Sequence, residues 1–229
     1  MQHDKRQPVM QDVMAGEVAG GTGACAARPA AHELLDTVLD ALRGLPGYRS
    51  AGDDAVTRPD GVRVAIDRDA PLLTLGRLVQ EDFCLLERRA NRAEHLLTGA
   101  ILCFPASWRL SDKFMRPLTT IHAPVADYDA GIARRVQRLF DAIRPGRPLW
   151  RANALRYHEA ELFQPRRDET GRPRATAPYL RSERQCLVRL PATGAVVFSI
   201  HSYVCPVSRL SAEERAALDR QGPHAAATD

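Results

Sequence analysis

The sequence predicts a mixed α+β domain, and three observations carry that prediction. Apolar residues recur at helical spacing in residues 32–42 and 130–143. Two β-prone runs flank Pro191-Ala192-Thr193-Gly194 near the C-terminus, the pattern of an antiparallel hairpin. No regular strand–helix–strand rhythm runs between them, which argues against a parallel sheet. The 229 residues suit one medium domain, expected over residues 31–221 between disordered tails at 1–30 and 222–229.

Taken in chain order, residues 1–30 show no periodicity. Within them Gly21-Thr22-Gly23-Ala24-Cys25-Ala26 fits a loose GxGxx[GA] dinucleotide pattern. It is set aside because no strand is expected before it and Pro29 falls where a helix should run. Leu34, Leu35, Val38, Leu39 and Leu42 then mark one helical face, with Gly44 as the stop. Residues 62–66 alternate like a strand after an Asp60-Gly61 turn, and a mixed stretch over 72–86 carries Gln80-Glu81-Asp82. Residues 96–104 read as a buried strand closed by Pro105. Turn formers fill 105–127, where His122 is expected in a loop stiffened by Pro124. A helix over 130–143 and a strand over 149–157 follow, and Ser211 with Glu214 forms a capping box for a last helix.

Composition excludes several classes. The chain carries +4 formal charge from 32 Lys+Arg against 28 Asp+Glu. Only Lys5 and Lys113 are lysines, and the arginines are scattered among acids rather than gathered into a stripe, so nucleic acid is not an expected partner. No apolar run is long enough to cross a membrane and the N-terminus has no secretory h-region, so a cytoplasmic location is expected. Five separated cysteines without a CxxC pair are expected as free, mostly buried thiols.

The hairpin makes a finer prediction. If the turn centres on Ala192-Thr193, partner numbers sum to 385, and Glu183 faces Ser202, Gln185 faces Ile200 and Leu187 faces Phe198. That face also takes Val196 and Val204, so Glu183 and Gln185 point toward core or pocket. A carboxylate there needs a partner, either Arg181 or Arg184 as a structural ion pair, or a ligand for which Glu183 handles protons.

Five segments, in order, carry a resemblance: VQEDFCLL, LCFPASW, DKFMRPLTTIHAPV, RANALRYHEAELF and RSERQCLVRLPATGAVVFSIHSY. Over roughly residues 60–207 the chain resembles the alpha subunit of haem-dependent oxidative N-demethylase and its relatives. The resemblance implies a PAS-like antiparallel sheet with flanking helices that binds b-type haem. It implies oxidation of an N-methyl group of a small amine, releasing formaldehyde, with electrons from NADPH through separate flavin and iron–sulfur reductase subunits. This chain shows no cluster-binding cysteines of its own. The same likeness admits an alternative, a PAS-like haem or small-ligand sensor without turnover.

On this likeness, His122 is the candidate haem ligand or pocket residue, against a histidine bonded to backbone in a surface turn. Lys113, Arg116 and Arg184 are candidates for the haem propionates, and Trp108 for packing on the macrocycle. Asn153 and Tyr203 are candidates to orient a bound ligand, and Glu183 or Asp82 to meet a protonated amine. His201 and His158 are weaker candidates for the iron. Two landmarks differ from the relatives: Ala154 stands where they usually carry tryptophan, and Met115 falls in a segment where they often carry glycine. The lost aromatic is expected to alter a pocket wall.

Overall fold

The computed structural model describes residues 17–19, 27–90, 93–122, 130–165 and 173–220. A six-stranded, wholly antiparallel sheet organises them. Its strands are β1 (Glu17–Ala19), β5 (Asp82–Arg88), β6 (His95–Leu102), β7 (Leu149–Tyr157), β8 (Tyr179–Arg189) and β9 (Val196–Pro206), in the order β1-β6-β5-β9-β8-β7. Short strands β2 (Arg49–Ser50), β3 (Ala55–Thr57) and β4 (Arg63–Ala65) make a second sheet. The helices are α1 (Arg28–Leu42), α2 (Pro71–Leu78), α3 (Leu110–Lys113), α4 (Leu118–His122), α5 (Ala130–Ala142) and α6 (Ala212–Arg220).

Both faces of the large sheet are covered, which is why its central strands are apolar without a break. Phe83, Leu85, Ile101 and Val197 pack under Leu34 and Leu35 of α1 and Leu72 and Leu75 of α2. Cys84, Leu86, Leu97, Ala100 and Val196 pack on the other face, under Leu110, Leu118 and Phe140 from α3, α4 and α5. Neighbouring residues of β5 thus serve opposite cores, as a period of two requires. A bulge lets β6 keep step: Leu85 pairs with Gly99 and Leu86 with Leu97, leaving Thr98 as the extra residue. Without it, Leu97 would turn away from the core under α3 and α4.

The hairpin register is the one expected. Every β8–β9 pair sums to 385, including Glu183 with Ser202, Gln185 with Ile200 and Leu187 with Phe198. Gly194 at the turn has φ 72, a conformation that favours glycine. Glu33 of α1 clasps this turn, accepting from the Ala192 and Thr193 amides at 2.6 and 2.8 Å and from the Thr193 hydroxyl at 2.6 Å. The strand β7 and the Ser211–Glu214 capping box also stand where expected, the box with bonds of 2.8 and 3.1 Å.

Three expectations need correcting. Glu17–Ala19, inside the segment expected as a tail, pairs with Leu102, Ile101 and Ala100 of β6, and α1 begins at Arg28. The glycine-rich stretch 21–26 lies outside the described residues, yet both grounds for setting it aside fail. A strand precedes it, and Pro29 is tolerated because it sits in the first turn of α1, where its missing N–H has no helical partner. The strand is antiparallel to its neighbour, so no parallel βαβ unit surrounds the stretch. Third, His122 ends the short helix α4 rather than sitting in a loop; Ala123, Pro124 and Val125 lie outside the described residues.

Candidate functional site

Strand register decides which side chains can meet. Asp82 pairs with Ile200, Ile200 with Gln185, and Gln185 with Arg151, so these residues of four adjacent strands share one face. Glu183, Asn153, Arg181 and Ser202 share it by the same parity. It continues the core face that α3, α4 and α5 cover, and Trp108 just before α3, Lys113 of α3 and His122 of α4 stand around it.

The helices over this face are tied down at several points. The amide and hydroxyl of Thr119 donate to the Glu94 carboxylate at 3.0 and 3.1 Å, capping the start of α4. The Leu97 amide donates to the Arg116 carbonyl at 3.1 Å, and the Met115 amide donates to the Leu97 carbonyl at 2.8 Å. Met115 adopts φ 59 there, in the left-handed region that favours glycine. Arg189 holds the end of α5, donating to the carbonyls of Ile143 at 2.7 Å and Phe140 at 2.6 Å.

At the end of α4, His122 Nδ1 lies 2.8 Å from the Leu118 carbonyl. A carbonyl only accepts, so Nδ1 carries the proton and the lone pair of the neutral ring is on Nε2. Burial, with the charges of Lys113 and Arg151, holds His122 below the usual histidine range and outweighs the Leu118 bond. The backbone bond to Leu118 exists, and the ring is partly buried within electrostatic range of Lys113 and Arg151. Lys113 Nζ stands 4.4 Å above the centre of the Trp108 ring.

Beneath these residues lies a polar ladder. Arg181, only 1% exposed, donates from Nε to Glu183 Oε1 at 3.1 Å, and from its other nitrogens to the carbonyls of Leu162 at 2.9 Å and Phe104 at 2.5 Å. Gln185 donates to Glu183 Oε2 at 3.0 Å and accepts from Arg151 Nε at 2.8 Å. Both oxygens of Glu183 are thus engaged, which favours the structural ion pair with Arg181 over proton handling. Asp82 is the odd acid: 0% exposed, it accepts at Oδ1 from the amides of Cys103 at 2.6 Å and Phe104 at 3.0 Å, while Oδ2 is buried without a partner among the described residues. Burial lifts its carboxyl to about 7, against those two bonds and the Arg181 charge.

The face gathers His122, Lys113, Trp108, Asn153, Glu183 and Asp82, but not every candidate. Arg184 and Tyr203 alternate with Glu183 and Ser202 and therefore point to the opposite side, where each is 52% exposed. There Arg184 and His201 share the Glu81 carboxylate at 3.2 and 3.1 Å. Arg116 is exposed and holds β6 by its carbonyl. Ala154 also faces away from His122, so a missing tryptophan there leaves the wall near His122 unchanged. Arg151 and Gln185, given no role from the sequence, stand inside the ladder. The signal that finds them is strand parity, the same that turned Glu183 inward.

A family model described as haem-dependent oxidative N-demethylase, alpha subunit-like matches residues 2–221. The chain belongs to that family. No curated protein matches it. The family description names haem and an oxidative demethylase, and the donor set is compatible with haem. Among the described residues no group of three or more His, Cys, Asp and Glu could hold a bare metal ion. Haem brings four nitrogen ligands of its own and asks the protein for one axial donor and cationic partners for two propionates. His122 has the chemistry of such a donor, and Lys113 and Arg151 are cations within electrostatic range of it. An alpha subunit-like N-demethylase also implies partner subunits. Among the described residues no helix is long and apolar enough to cross a membrane.

Proposed function

We propose that this chain is the haem-binding oxidative subunit of an N-demethylase acting on a small N-methyl amine. The observation that carries the proposal is His122, its ring oriented by the Leu118 carbonyl at 2.8 Å on a face that also holds Trp108, Lys113 and Arg151. Family membership supplies the reaction class.

In this reading His122 would hold the haem through Nε2, and Trp108 and Lys113 would help line its site. Bound haem supplies the oxygen chemistry, in which the N-methyl amine, dioxygen, NADPH and a proton give the demethylated amine, formaldehyde, water and oxidised NADP. The chain's own residues do the rest. Asn153 stands on the inner face of the edge strand β7, where an amide side chain orients a small polar ligand. Asp82, wholly buried, is assigned no contact with substrate. Glu183 serves as a support for Arg181 and Gln185. Electrons come from partner subunits carrying flavin and an iron–sulfur cluster, in keeping with an alpha subunit-like chain.

The test is formaldehyde release from dimethylamine and from bulkier N-methyl amines, by haem-loaded protein supplied with its reductase subunits and NADPH. Release that requires haem, NADPH and dioxygen together supports the reading. A haem-loaded protein that binds amines but releases no formaldehyde contradicts it and favours a sensor.

A further inference from the structure

Arg151 sits on β7, at the edge of the sheet, yet its side chain is held by a chain of hydrogen bonds that begins in the core. Arg181 is 1% exposed and fixes Glu183, Glu183 fixes the amide of Gln185, and the Gln185 carbonyl oxygen accepts from Arg151 Nε. Each link sets the direction of the next. The carboxylate of Glu183 draws the amide N–H of Gln185 toward itself, which turns Oε1, an acceptor only, toward Arg151.

Holding a long arginine side chain on an edge strand costs rotamer entropy. The hydrogen-bond partner it receives is a neutral amide, so that bond supplies no counter-charge to the guanidinium. Lys113 approaches the same imidazole from α3. Two cations delivered from a strand and a helix to the rim of one aromatic- and histidine-bearing face form an anion site. Arginine's planar fork suits a carboxylate.

Resting on the haem reading above, we propose that Arg151 binds a carboxylate of the haem, one of its propionates, and that Glu183 and Gln185 are positioning residues that aim it. This assigns the conspicuous buried acid of β8 to the cofactor's anchor rather than to proton transfer.

The experiment compares two ligands on the haem-free full chain: ferric haem, and its dimethyl ester, in which both propionates are blocked. Absorbance titration gives a dissociation constant for each, and their ratio is the readout. Wild type is expected to prefer haem, and Arg151→Ala to lower that preference about tenfold, the scale of one charge-assisted bond. Arg151→Gln, similar in length and able to keep the bond to Gln185, is expected to behave like Arg151→Ala. Gln185→Leu, with Arg151 present but unaimed, is expected to lower the preference in the same direction. General damage to the fold weakens both ligands together and leaves the ratio unmoved. A ratio unchanged in both Arg151 variants, or wild type that binds both ligands equally, overturns this inference alone. Wild type that takes up neither ligand overturns it together with the haem reading.

Discussion

Arg181 Nε donates to Glu183 Oε1 at 3.1 Å between two residues of the same strand and the same face, both buried. Residues two apart on a strand lie side by side, so the pair forms without any loop or helix to bring it together. Its surroundings complete it: Arg181 also reaches the Phe104 and Leu162 carbonyls and the Ser202 hydroxyl, and Gln185 takes the second oxygen of Glu183. Removing the acid leaves a guanidinium in the core without its counter-charge. Glu183→Ala is expected to lower unfolding free energy by about 3 kcal/mol or more, read from urea denaturation. Glu183→Gln, which keeps one acceptor for Arg181, should lose less.

Asp82 sets a pH dependence of opposite sense to an ordinary ion-paired acid. Its folded carboxyl titrates near about 7, whereas in the unfolded chain it titrates near ~4. Between those values the folded protein retains a proton that the unfolded chain has released. Its contribution to stability is therefore greatest at low pH, falls as pH rises from about 4 to about 7, and is flat above. Asp82→Asn resembles the protonated acid and can still accept from Cys103 and Phe104. The stability difference between Asp82→Asn and wild type should grow in the variant's favour across that window. Urea midpoints at several pH values measure it, and a constant difference contradicts the buried-acid account.

Met115 occupies a left-handed conformation, φ 59, at the turn that joins α3 to α4 and bonds to Leu97 of β6. Met115→Gly is expected to relieve it and raise stability by up to about 1 kcal/mol, after the greater unfolded-state freedom of glycine is subtracted. Thermal unfolding reads the result, and a clear loss of stability would argue that the methionine side chain is packed for a purpose.

Gly76 of α2 packs directly against Ile101 of β6. A Cβ there would lie 2.8 Å from Ile101 Cγ1 and 3.3 Å from Cys103 Sγ. Gly76→Ala should cost about 1–3 kcal/mol, although alanine is the better helix former. A neutral substitution would mean that α2 rides higher on β6.

Much of this was legible in the residues, and the failures have physical reasons. A period of two and a four-residue turn fixed the β8–β9 register to the residue. The same parity sends Arg184 and Tyr203 outward once Glu183 points inward. Strand β1 was not legible: three residues form no periodic signal, and their conformation is set by pairing with β6. The Glu33 clasp spans 160 residues of sequence and has no local signature. Arg151 gains meaning only through Gln185, Glu183 and Arg181, side chains that meet after two strands have paired. Pro124 marks an ending in the sequence, but the short helix that His122 closes is stabilised by a distant acid, Glu94, which has no local signature.

The central claim is that His122 holds haem on this face, and the absorption spectrum of protein expressed with a haem precursor tests it most directly. The account predicts a Soret band in the wild type that shifts or disappears in His122→Ala, with the fold retained. A wild type without a Soret band, or an identical band in His122→Ala, would contradict it.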